Sequence, residues 1–153
     1  MTPTPAATTA DPGAPPLRRL LLIILIMGIL GTGTELMLLG HYEDVYQWVP
    51  IVLLAAGLGA AVAALARPRR GILLTLRAVM AACVVGGLLG LWLHYRGNME
   101  FELEMYPDMA GLALLWETLR GATPALAPGT MVQIGLFGLL ATYRHPGLRR
   151  VER

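Results

Sequence analysis

The chain contains no lysine. All twelve basic residues are arginine, a skew that a GC-rich genome produces as readily as a need for guanidinium chemistry. It has one cysteine, Cys83, set inside an apolar run. A disulfide within the chain is therefore excluded, and a thiolate metal cluster has no ligand set. Charge is scarce as well. Only 14% of residues are charged, against about 25% in an ordinary soluble domain. The arginines form no stripe interleaved with aromatics, so a nucleic-acid partner is not expected. No nucleophile–base pair, phosphate loop or metalloprotease helix occurs. The balance is against an enzyme, and no motif names a reaction.

What is present is hydrophobic length. Of 153 residues, 56% are hydrophobic, and they gather into runs. The first run follows Arg18-Arg19, continues through Leu20–Leu30, and resumes as Leu36–Leu39 after Gly31-Thr-Gly-Thr-Glu35. About 20 apolar residues suffice to cross a bilayer core. A secretory signal is the rival reading of this start. The apolar run resumes past Glu35 and the usual Ala-x-Ala is missing, which favours an uncleaved anchor.

Four spans are expected, at about 17–39, 48–66, 72–93 and 124–143. Pro50 falls in the first turn of the second span, where a missing N–H costs nothing. The fourth has two versions: a short one from Pro128, and one from Pro124 with Pro128 in or kinking its first turn. The longer version spans more comfortably. Residues 1–16, rich in Pro, Ala and Thr, read as a disordered tail, and 147–153 as a basic one.

The connections set the orientation. Arg18 and Arg19 precede the first span. Arg67, Arg69 and Arg70 join the second to the third, and Arg144, His145, Arg149, Arg150 and Arg153 follow the fourth. Glu43, Asp44, Glu100, Glu102, Glu104, Asp108 and Glu117 occupy the other two connections, with only Arg96 and Arg120 among them. Arginine-rich flanks stay cytoplasmic. Four spans with both termini cytoplasmic, in a cell inner membrane, satisfy every loop at once. Tyr42, Tyr46, Trp48, Trp92 and Tyr95 stand at outer span ends and Tyr143 at an inner one, the headgroup depth that such rings prefer.

The extracytoplasmic cap, 96–123, reads in two parts. From Asn98 to Tyr106, Met99, Phe101, Leu103 and Met105 alternate with Glu100, Glu102 and Glu104, a period of two that predicts an extended segment. After Pro107, Leu112, Leu115, Trp116 and Leu119 form the stripe of a short amphipathic helix over 109–120. The fold class is thus an all-α membrane protein, a four-helix bundle with this small cap.

Small residues recur at packing spacing. Gly86 and Gly90 do so in the third span, Ala55, Gly59 and Ala63 in the second (as do Ala56, Ala60 and Ala64), and Gly135 and Gly138 in the fourth. They either hold one chain's helices together or seat another subunit. Met99, Phe101, Leu103, Met105 and Trp116 are further candidates for a partner contact, because an apolar cap face needs cover.

Few residues could carry chemistry. Glu35 shares a face with Gly28 and Thr32 and is the candidate proton or cation site. Its distance of one turn from the loop equally suits a headgroup-level residue paired with Arg96 or His94. Arg77, on the inner half of the third span, can snorkel to the headgroups. His41 and His94, with Glu43 and Asp44, could ligate a metal, or the two histidines a haem; no cofactor is otherwise expected. Three functions follow. The first is an accessory, structural or assembly subunit whose partners are the bilayer and other membrane subunits. The second is a homo-oligomeric proton- or cation-coupled transporter using Glu35. The third is a metal- or haem-binding redox subunit using His41 and His94. In outline alone, four spans with a carboxylate in the first, the chain is similar to the small multidrug resistance proteins. The depth of Glu35 and the long acidic loop depart from that pattern, and no residue is carried over.

Overall fold

The structure, a computed structural model, describes residues 14–148. Most of the expected N-terminal tail and the last five residues of the C-terminal one lie outside that range. Ala14 to Pro16, assigned above to the tail, form the first turn of a helix instead. Among the described residues the fold is all-helical: α1 (Ala14–Leu38), α2 (Trp48–Ala66), α3 (Arg70–Met105), α4 (Gly111–Arg120) and α5 (Gly129–Ala141). Three helices are long and apolar enough to cross a membrane, and α5 is a shorter apolar one. In hydrocarbon a helix alone satisfies every backbone group within its own segment, which is why these runs resolve as helices.

The helices pack as a ring. The neighbours are α1 with α2, α2 with α3, α3 with α5, and α5 with α1, while α4 rests on α3. The core comes from all four members of the ring. Leu25 and Ile29 on α1 meet Leu54 and Ala61 on α2, Leu76 and Met80 on α3, and Ile134 on α5. The closest approach is α3 on α5. A Cβ on Gly135 would stand 2.5 Å from the Met80 carbonyl and 3.0 Å from the Val84 nitrogen. One on Gly87 would stand 2.8 Å from the Val132 nitrogen and 2.9 Å from the Pro128 carbonyl. Those neighbours are backbone and cannot move aside. Gly90 faces Pro128 and Gly86 faces Leu53, so both glycines make contacts within their own chain. Gly87, the tightest position on α3, was not singled out from the sequence.

Two expectations are corrected. The extended segment at 98–106 is helix, because α3 runs on to Met105 for 36 residues. Met, Glu and Leu are strong helix formers, and a lone strand would leave both edges unpaired. The alternation therefore yields to propensity. The third span is accordingly longer than 72–93, and 96–105 belongs to α3 rather than to a separate cap. α3 ends where Tyr106 N–H donates to the Glu102 carbonyl and Pro107 forbids continuation. Helix α5, at the place of the fourth expected span, has only 13 residues, not the 124–143 expected. Pro124 and Pro128 remove donors and disfavour helical backbone before them, so 125–128 forms turns.

At the end of α1, Gly40 adopts φ +65°. The N–H of His41 donates to the Leu36 carbonyl and that of Gly40 to the Met37 carbonyl, the paired bonds of a Schellman cap. Asp44 then accepts from the Tyr46 N–H, while the Gln47 amide oxygen accepts from the Asp44 N–H, turning the chain into α2.

The glycine seam yields a direct test. Gly135→Ala should cost about 1–3 kcal/mol as an overpacked contact, read as a lower unfolding temperature in mild detergent. Gly59→Ala, with nothing within 4 Å of its added methyl, should leave that temperature unchanged or raise it.

Candidate functional site

The polar groups that the fold brings together lie at the end opposite the Arg67–Arg70 turn, around the outer part of α3. At 1.5 Å per residue its 36 residues reach about 54 Å. A hydrocarbon core is about 30 Å thick, so α3 is longer than one crossing needs, and α4 packs on it.

Asn98 ties this extension together. It is 3% exposed. Its Nδ2 donates to the Thr118 carbonyl at 3.0 Å and to the Thr123 carbonyl at 2.7 Å. Its Oδ1 accepts from the Thr123 N–H at 3.2 Å and from the Thr123 hydroxyl. Two donors and two acceptor sites are the full capacity of an amide side chain. Gly121 packs against it so closely that a Cβ would stand 2.6 Å from the Asn98 Cγ. One side chain thus pins the end of α4, the turn after it and the approach to α5. The hydroxyl of Thr118 is buried beside this network without a partner. Sequence reasoning passed over Asn98 because it was taken as the start of a strand. Read at helical spacing, Leu91, His94 or Tyr95, Asn98 and Glu102 lie on one stripe, which was the available signal.

His41 and His94 also come together. The His94 Nδ1 lies 3.1 Å from the Pro124 carbonyl. A carbonyl only accepts, so the proton between them is carried by Nδ1. Burial holds the His41 ring below its ordinary pKa of 6.5, and the His94 imidazole pushes it further the same way. Asp44 is engaged in the cap before α2, and Glu43 is exposed. Among the described residues no group of three His, Cys, Asp or Glu is placed to hold a metal ion.

Glu35 is exposed on the last turns of α1. The pairing anticipated with Arg96 is absent. That guanidinium bonds Glu100 at 2.7 Å and lies over the Trp92 ring, 5.5 Å from its centroid. Arg77 is exposed on α3. Of the cap residues proposed for a partner, Met99 and Leu103 are half-buried, while Phe101, Met105 and Trp116 are exposed. The stripe on α4 turns outward: Leu112 is 83% exposed and Trp116 60%. The helix buries Thr118, on its other side.

The Asn98 network predicts opposite outcomes for two small changes. Asn98→Ala orphans two carbonyls and an N–H and should cost about 2–4 kcal/mol, with proteolysis appearing between 121 and 127. Thr118→Val removes a hydroxyl that bonds nothing and should be neutral or stabilising. Thermal unfolding with limited proteolysis checks both.

A pH dependence follows from the histidines. His145, near the chain's arginine-rich end, is also held below 6.5, by burial and then by the Arg18 cation. In both His41 and His145 the folded state takes up its proton at lower pH than the unfolded one. As pH falls through about 6.5 the unfolded state binds protons first, so the fold loses stability on acidification and regains it above. We expect the unfolding temperature to drop between about pH 7.5 and about pH 5.5, with a shallower drop in His41→Gln/His145→Gln.

Compared with family models, curated proteins and solved structures, the chain finds no match, and its function is read from its own geometry.

Proposed function

We propose that the chain is an accessory, structural or assembly subunit of a larger membrane protein complex. The observation that carries this reading is a close-packing face on α2 that the chain does not use itself. Ala55 and Gly59 are exposed, and nothing lies within 4 Å of where a Gly59 side chain would begin. The glycines of the α3–α5 seam are filled, so the unfilled face on α2 contrasts with them. In lipid, small residues are where a further helix can approach closely. The outward apolar stripe of α4 supports the same reading. So does the interior of the bundle. The buried polar groups among the described residues are Asn98, Thr118 and Thr142, and Thr142 bonds back to its own helix at Gly138 and Leu139. That is no path for a solute.

In this reading α5 is a fourth span. It stands between α1 and α3 in the ring, and the turns at 124–128 complete a crossing that its own length of about 20 Å leaves short. The arginines of the three basic segments then share one side, which by their bias is the cytoplasmic side of an inner membrane. The termini lie there too.

The proximity of His41 and His94 favours a second reading, a subunit that holds a metal or haem at the outer surface. The outward-facing Glu35 belongs to the transporter reading, in which a second copy would cover it.

The test is purification of the tagged chain from its native host in mild detergent, followed by native mass spectrometry and an absorption spectrum. We expect other membrane proteins at fixed stoichiometry, lost in Gly59→Leu while the chain's own unfolding temperature holds. A homo-oligomer alone would overturn the accessory reading and make Glu35 the residue to examine. A Soret band lost in His41→Ala/His94→Ala would establish the second reading.

A further inference from the structure

At the arginine-rich end, the start of α1, the end of α2 and the segment after α5 surround a cavity of about 340 Å³. Arg18, Arg19 and His145 stand on its wall, and Leu22, Ala64 and Leu65 on its apolar side. Among the described residues no carboxylate lines it. The nearest described acid along α1 is Glu35, some four turns away toward the other end.

The donors here are largely unspent. One Arg18 Nη2 makes a long contact, 3.5 Å, to the Arg144 carbonyl, which leaves most of the guanidinium's five N–H groups free. His145 Nδ1 accepts from the Gly147 N–H at 3.0 Å, so the neutral ring carries its proton on Nε2. Arg144 holds this turn at φ +46°, a left-handed conformation uncommon for a residue with a side chain. Gly147 sits so close to the Pro68 carbonyl that a Cβ there would lie 2.8 Å from it. The wall is therefore a folded turn docked on its neighbours.

We propose that this cavity binds the phosphate headgroup of an anionic phospholipid. Two guanidiniums and an imidazole N–H present a fork of donors that suits phosphate oxygens. The positive charge of the described wall selects an anion. Leu22, Ala64 and Leu65 offer an apolar surface to the first carbons of the acyl chains, which a free phosphate would leave unused. Basic pockets between membrane helices bind anionic headgroups in this way. The assignment rests on the chain lying in a membrane and is independent of which complex it joins.

The test uses the full chain reconstituted in phosphatidylcholine vesicles with and without phosphatidylglycerol, then released and counted for bound lipid by native mass spectrometry. The wild type should keep one phosphatidylglycerol per chain. Arg18→Gln/Arg19→Gln should keep roughly tenfold less, as expected for losing charge-assisted bonds. Arg70→Gln/Arg77→Gln removes the same charge outside the cavity and should keep as much as the wild type. Should the double variant at 18 and 19 fail to fold, Arg19→Gln alone, at an exposed position, should give a smaller loss in the same direction. Equal loss in the control pair would overturn the site in favour of diffuse surface attraction, and so would no retention at all. A thermal shift with glycerol phosphate or inorganic phosphate as large as that with the lipid would overturn the lipid assignment and point to a free phosphate ligand.

Discussion

The bundle depends on the contact of α3 with α5, and that contact exists because key positions carry no Cβ. Helix α5 is short and mostly apolar, with Thr130 and Gln133 as its polar side chains. In lipid no hydrophobic force would hold it in place, since the tails are as apolar as its own leucines. Its hold must come from close backbone approach. Gly135 against the Met80 carbonyl and Gly87 against the Val132 nitrogen provide it. Once α5 is fixed there, it also meets α1 and the ring closes.

The length of α3 extends the effect outward. A helix of 36 residues is longer than one crossing of a hydrocarbon core needs. Its last turns carry Glu100, Glu102 and Glu104 and are fastened by polar groups. Asn98 supplies the anchor by using its full hydrogen-bonding capacity on Thr118 and Thr123. The turn it holds leads through Pro124 into Pro128, which packs on Gly90. The polar network and the glycine seam are thus two ends of one constraint on where α5 may begin. The carbonyl of Pro124 also receives the His94 ring, so His94 sits on the same fastening.

Much of this was legible in the sequence. The apolar runs, the Pro50 position in α2 and the stripe of α4 all follow from composition and periodicity, because each is a local property. The run from Asn98 to Met105 was misread because period-two alternation there competes with the helix propensity of Met, Glu and Leu. Only the absence of any partner strand decides between them, and that is a tertiary fact. The start of α5 was ambiguous for a similar reason. Two prolines four residues apart permit a kinked helix or a turn, and the docking of Pro128 on Gly90 selects the turn. Gly86 and Gly90 stood out at the right spacing, yet Gly87 lies deeper, because the α3 face that meets α5 is set by the rotation of a 36-residue helix. Asn98 carried a signal only at a period the strand assignment had set aside.

The distribution of polar groups narrows what such a molecule can do. The middle of the ring is apolar, and Cys83 within it is buried. Chemistry is confined to two ends and to the outside. One end concentrates arginine around an open cavity whose described lining holds no carboxylate. The other gathers histidines, carboxylates and a satisfied amide on a rigid helical extension. A carrier would need polar groups at mid-depth facing inward, since a charge there is tolerated only beside a cavity or a partner. In this chain the outward side chains along the spans are mostly apolar or small, with Glu35, Thr75, Arg77 and Gln133 among the exceptions. The proposed lipid contact at one end and the proposed protein contact along α2 and α4 both draw on surfaces of that kind. The accessory reading follows from that arrangement rather than from any single residue.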